Sequence, residues 1–265
     1  MIRYIKEFIL SSNKKEVKSK KIVKLILFSV LFFFIILFVV SAINILNYIK
    51  DSKENEKVFD EIAEDIEIQE IPNDSMEDNN YIIDFKSLSQ KNSDVVGFLK
   101  VNGTDIEQVV VKSKDNNYYL SHNFEKKQNS AGWIFVDYRN NLDGADKNII
   151  IYGHNMKNGT MFSSLKNVLD SEWKENEENR YITFITESEN AIYEVFSVYQ
   201  IENEDYYIKT NFKGKEFNTF INTMKNRSKY NFNVDVSDND EILTLSTCGN
   251  NNNYRIILHA KKLIK

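Results

Sequence analysis

EILTLSTC (241–248), GNNNN (249–253) and YRIILHAKKL (254–263) are two extended segments rich in β-branched residues, separated by a short polar run. A connection that short joins strands that are antiparallel or near neighbours, so the residues flanking it sit close together. Cys248 and Arg255 therefore meet at one end of a sheet. Strand alternation groups Arg255 with Ile257 and His259, and Cys248 with Ser246 and Thr244. A guanidinium beside a thiol favours the thiolate and can donate hydrogen bonds to an oxyanion at an attacked carbonyl. A free cysteine taken at random is more often a small buried filler, but Cys248 falls where a strand opens into a polar loop. It is also the only cysteine, so no internal disulfide can form.

Upstream of this pair the same period-two pattern recurs in VVGFLKV (95–101), IEQVVV (106–111), GWIFVD (132–137), NIIIYG (148–153), YITFIT (181–186) and AIYEVFSVYQ (191–200), with Asn102-Gly103 as a hairpin turn signal. These segments predict a mainly β domain, and their number permits a barrel that closes on itself and so removes its edges. Helices are expected to be peripheral, around 84–91, 160–168 and 214–227. In the last of these Phe217, Phe220, Ile221 and Met224 recur at i, i+3, i+4 and i+7.

The N-terminal side is built differently. LILFSVLFFFIILFVVSAI (25–43) carries no charge, Pro or Gly, and a helix of that length matches a hydrocarbon layer of about 30 Å. It exceeds a signal-peptide core and no clear A-x-A cleavage site follows, so it reads as a retained anchor. Lys and Arg dominate before it and Asp and Glu after it, which puts the N-terminus in the cytoplasm and the rest outside. The expected organisation is a basic cytoplasmic segment (1–24), a transmembrane anchor (25–45), an acidic helical extension and linker (46–80) and a β-barrel domain (81–265). Within the extension, a helix over 46–70 with Phe59, Ile62, Ala63 and Ile66 on one stripe gives way near Pro72 to a linker at 71–80. That helix is expected to act as a spacer or barrel-packing element, whose deletion changes membrane placement more than peptide cleavage in solution. A net charge of −5, with basic residues clustered only at the N-terminus, excludes nucleic acid as a partner.

A nucleophilic Cys needs a proton-transfer partner, and the chain offers His122, His154 and His259. His154 lies in NIIIYGHNMKNGTMF, where an apolar run stops and a Gly-containing loop begins, the kind of strand end at which reactive residues are held. His122 and His259 suit structural or surface roles better. Scattered histidines, one thiol and no D-x-D-x-D-G spacing give no metal site, and no cofactor is expected.

At these residues the chain resembles the sortases. YGHNMKNGTMF (152–162), TLSTC (244–248) and the following Arg255 carry the resemblance, and the long form of the His motif is similar to class B. IDFKSL (83–88), DVVGFLKVNGT (94–104), YYLSHNF (118–124) and AGWIFVDYRN (131–140) are similar to the class B pattern in the same order, so the resemblance spans roughly 81–262. It implies a closed eight-stranded barrel preceded by a helical extension, and a cysteine transpeptidase. Cys248 would attack the Thr carbonyl of a C-terminal sorting motif on a surface protein. A peptidoglycan cross-bridge amine or a pilin lysine would resolve the thioester. His154 would transfer the protons, Arg255 would hold the substrate backbone or oxyanion, and Ser246 and Thr247 would line the pocket. The Cys–Arg loop is shorter and more Asn-rich than in many class B members, which bears on motif preference. An Asn-, Lys- and Ile-rich composition agrees with an AT-rich Gram-positive source.

Two rivals are weaker. A cysteine L,D-transpeptidase acting on peptidoglycan would have a His beside its Cys, where this chain has Ser246-Thr247. A catalytically silent anchored binding module would have no use for an intact His, Cys and Arg. The topology is testable: a reporter fused after Lys265 should be digested by protease added to intact cells, and its protection would reverse the orientation.

Overall fold

The computed structural model describes residues 2–69, 80–144, 146–202, 204–248 and 254–263. The chain forms two compact units, one ending at Lys50 and one beginning at Asp51. In the first, helix α1 (Ile2–Ala63) runs through the apolar stretch, and the portion from Lys20 on is long and apolar enough to cross a membrane. Phe28, Phe32 and Phe38 are 65–74% exposed, a display of apolar surface that water disfavours and lipid accepts.

The second unit begins with the last turns of α1. The helix expected over 46–70 stops at Ala63, because β1 (Ile66–Gln69) pairs antiparallel with β2 (Asn80–Ile83). Ile66 is therefore a strand residue opposite Ile83, although its spacing is helical. The expected linker at 71–80 lies outside the described residues apart from Asn80. Asp84 caps α2 (Phe85–Lys91) through a 2.9 Å bond from the Ser87 amide.

Eight further strands close into a barrel: β3 (Val95–Val101), β4 (Glu107–Val111), β5 (Phe135–Val136), β6 (Asn148–His154), β7 (Tyr181–Ile185), β8 (Asn190–Glu202), β9 (Ile242–Cys248) and β10 (Tyr254–Lys262). Their order around the barrel is β10-β8-β7-β3-β4-β5-β6-β9, closed by the β9–β10 pairing. Neighbours are antiparallel except β4 with β5 and β6 with β9. The segment 132–137 is mostly loop, since only Phe135 and Val136 are paired. Gly132 takes φ 59, and the Trp133 amide turns to the Tyr119 carbonyl at 2.9 Å.

One parity of β6, β9 and β10 (Ile149, Ile151, Leu243, Leu245, Ile256, Leu258) fills the barrel; the other carries Ile242 and Ile257, which pack under α4 (Glu216–Arg227). Phe217, Phe220, Ile221 and Met224 of α4 are the residues whose helical spacing marks it in the sequence, and all are buried against that outer face. The 160–168 stretch forms a 3-10 helix over Ser163–Leu169, and α3 (Ser171–Glu175) follows it.

Gly153, next to His154, has no room for a side chain: a Cβ there would lie 2.6 Å from Cγ of Phe162, itself fully buried. Gly153→Ala should lower unfolding free energy by about 1–3 kcal/mol, the usual cost of overpacking. Denaturant titration measures this, and unchanged stability would mean the Phe162 ring moves freely.

Candidate active site

The three residues nominated from sequence sit on three adjacent strands. β6 and β9 run parallel in register from Asn148↔Ile242 to His154↔Cys248. β10 lies antiparallel on the other side of β9, with His259↔Thr244 and Ile257↔Ser246 as partners; the pairing ends there, two residues short of Arg255 on one strand and of Cys248 on the other. Paired positions share a face, so 154, 248 and 255 fall on the outer parity at one end of the barrel. The Cys248 backbone closes β9; its side chain and the 249–253 loop lie outside the described residues.

His154 is 8% exposed and held by a backbone group absent from the sequence-based expectation. Its Nε2 donates to the Leu120 carbonyl at 2.8 Å, because a carbonyl can only accept. In the neutral ring the lone pair is then on Nδ1, which is buried and has no hydrogen-bond partner among the described residues. The loop that follows turns back at once. Gly159 adopts φ 90, Asn155 bridges Met161, and the Phe162 amide returns to the His154 carbonyl at 2.9 Å.

Arg255 is half-buried, and its Nη1 donates to the hydroxyl of Tyr207 at 3.1 Å. That hydroxyl lies 2.9 Å from Ser246 Oγ, and both residues are fully buried. Ser246 thus supports the segment between β8 and α4. Thr247 Oγ1 accepts the Ile256 amide at 2.9 Å and is 2% exposed, so its side chain staples β9 to β10. Tyr207 was not nominated from sequence; NEDYYIKT has no periodicity to single out one tyrosine.

The other two histidines have structural partners. His122 stacks on Tyr118 at 4.1 Å, with Nδ1 on the Tyr118 carbonyl at 2.8 Å. His259 is fully buried: Nδ1 is 2.8 Å from Thr244 Oγ1, whose proton goes to Asn148 Oδ1 at 2.6 Å, and Nε2 faces the Tyr199 hydroxyl at 2.9 Å. Burial pushes its pKa down to about 3. It is therefore neutral through the working range and cannot serve as an acid there.

Nearby, Asp137 accepts Tyr152 Oη at 2.9 Å and a two-point bond from Arg139 at 2.8 and 2.7 Å. Burial opposes ionisation of Asp137, but the Arg139 bonds outweigh it and hold the carboxyl below its usual range. Arg139 also donates to the Ile208 carbonyl at 2.9 Å, tying the β5–β6 loop to the segment that carries Tyr207.

A sortase-domain family model matches residues 99–263. The chain belongs to the sortase family. A sortase B of Listeria monocytogenes is 40% identical over 188 residues, 69% of this chain and 75% of the relative. Solved sortase B structures are similar as well. Bacillus anthracis sortase B in complex with AAEK1 is 35% identical, has a TM-score of 0.70, and the match covers 82% of this chain and all of the other. A Staphylococcus aureus sortase B–substrate complex is 34% identical, with a TM-score of 0.64 and coverage of 68% and 84%. This sortase is accordingly a class B-type cysteine transpeptidase on a closed eight-stranded barrel.

Replacing Tyr207 with Phe removes a donor and acceptor from between Arg255 and Ser246 while keeping the ring in place. The sortase should lose about tenfold in kcat/KM, on the scale of one charge-assisted hydrogen bond. Steady-state peptide cleavage measures it; wild-type turnover would show that Arg255 needs no such support.

Proposed function

We propose that this sortase cleaves a C-terminal sorting motif after Thr and passes the acylated protein to an amine of the cell wall or of a pilin lysine. In this reading Cys248 is the nucleophile, His154 the proton carrier and Arg255 the electrostatic stabiliser, with Ser246 and Thr247 shaping the end of β9. The observation that carries it is the register of three strands: β6 and β10 flank β9, position 154 pairs with position 248, and position 255 lies two residues beyond the last β9–β10 pair, at the same end of the barrel. The substrate complex of the Staphylococcus aureus relative supports a sorting-signal ligand.

The chemistry follows from what each group can do. The Cys248 thiolate attacks the Thr carbonyl, and Arg255 donates to the oxyanion as negative charge develops there. The imidazolium of His154 gives its Nδ1 proton to the departing amine, the C–N bond breaks, and a thioester remains. The Leu120 carbonyl keeps Nε2 protonated throughout, so Nδ1 is the atom that exchanges protons. It then takes one from the incoming amine, whose nitrogen attacks the thioester and releases the thiolate. The domain layout proposed is the cytoplasmic segment 1–24, a span over 25–45, and the catalytic part outside the cell. The apolar surface of α1 and the charge bias around it support that layout.

A peptide-library cleavage assay with mass spectrometry of the acyl-enzyme tests activity and motif together. Cys248→Ala should abolish both cleavage and thioester capture, whereas His122→Ala should retain at least about half of wild-type turnover. Full turnover by the Cys248 variant would remove the mechanism.

A further inference from the structure

The last turns of α1 are tied to the segment that holds His154. Asn129 is the knot, 1% exposed, with every polar group of its side chain and backbone engaged. Its Nδ2 donates to the Asp51 carbonyl at 3.0 Å, and its Oδ1 accepts Asn55 Nδ2 at 3.3 Å and the Ala131 amide at 3.0 Å. Its own amide donates to the Ser121 carbonyl at 2.9 Å, one residue from Leu120, and its carbonyl accepts the Gly132 amide at 3.1 Å. Next to it the Asp51 carboxylate accepts the Ser130 amide at 2.9 Å.

The far strand of this loop is pressed equally closely onto the Leu120 region. A Cβ on Gly132 would lie 2.3 Å from the Tyr119 carbonyl, and Trp133, whose ring lies tilted against Phe59 of α1 with centroids 5.1 Å apart, returns its amide to that same oxygen. On the other flank of His154, Asn158 Nδ2 donates to Ser52 Oγ at 2.8 Å. Helix residues 51–59 thus grip the chain both before and after the histidine. The Leu120 carbonyl is the group that fixes which nitrogen of His154 carries the lone pair. A shift of that oxygen by a few tenths of an ångström would weaken the bond and free the ring to rotate.

We propose that residues Asp51–Phe59 of α1 are a positioning element for His154, acting through Asn129 and the Leu120 carbonyl. The proposal rests on His154 being the proton carrier. It goes beyond the expectation that this helix is a spacer or barrel-packing element: in this reading its last turns also hold the proton carrier in place.

The test uses the full-length protein in detergent, with steady-state cleavage of a sorting peptide and single-turnover thioester formation as readouts. Asn129→Ala and Asp51→Ala should each lower kcat about five- to tenfold with KM within about twofold, while Asp51→Asn, which keeps an acceptor for the Ser130 amide, should restore it. Ile185→Ala, a buried truncation at the opposite end of the barrel, controls for destabilisation and should leave kcat unchanged. Added to His154→Ala, Asn129→Ala should cost nothing further, since its effect runs through that ring. Wild-type kcat in both alanine variants, a loss confined to KM, or an equal loss on the His154→Ala background would each overturn the proposal while leaving the proton-transfer role intact. Full turnover by His154→Ala alone would overturn both. Should Asn129→Ala fail to fold, the Asp51→Ala and Asp51→Asn pair carries the same comparison.

Discussion

The parallel pairing of β6 with β9 is the constraint from which the site follows. Parallel neighbours cannot be joined by a tight turn, and the chain between His154 and Ile242 supplies two strands, β7 and β8, and two α-helices, α3 and α4, before it returns. A slip of one residue would turn the outer parity of either strand inward. The polar groups on that face hold the register. Thr244 donates to Asn148 across the β6–β9 seam, 96 residues apart in sequence, and accepts from His259 across the β9–β10 seam. A hydroxyl, an amide and an imidazole that are fully buried must all find partners, and only one register provides them. These residues touch no substrate in the proposed chemistry; they align the strands that present the groups that do.

The electrostatic arrangement follows a similar division. His259 sits in apolar surroundings that keep it neutral, with both nitrogens occupied. His154 sits at a strand end with one nitrogen anchored by a backbone carbonyl and the other without a hydrogen-bond partner among the described residues. Two imidazoles on the strands that flank β9 therefore have opposite characters, one a fixed link in a network and one a ring whose Nδ1 has no hydrogen-bond partner among the described residues. Burial alone does not separate them, since both are below 9% exposed; the identity of their partners does.

Most of the barrel was legible in the sequence because its strands are dense runs of β-branched and aromatic residues with one buried face. The runs at 95–101, 148–153 and 254–263 match their strands to within a residue. GWIFVD misled because Trp133 has strand-like character but spends its amide on the Tyr119 carbonyl, while the Gly132 amide closes a turn onto Asn129. Ile66 misled because a single apolar residue fits a helical stripe and a strand equally well, and pairing with Ile83 decides between them. Cys248, Arg255 and His154 could be nominated from loop length and local context. Leu120 could not, since it contributes a carbonyl and any residue has one. Tyr207 and Asn129 escaped for a related reason, as their partners are distant in sequence and no local pattern announces them.

The Tyr207 bridge joins two properties that protein engineers treat as separate. The stretch between β8 and α4 is a long connection that leaves β8 at the end of the barrel where Arg255 lies, and an engineer seeking a different peptide preference would exchange it. Its tyrosine also steadies Arg255 and Ser246. A graft taken from another enzyme would therefore import selectivity and remove a brace in the same cut, unless the donor segment brings a phenol to the same point in space. Retargeting this scaffold is consequently a problem of transplanting a loop together with its anchor.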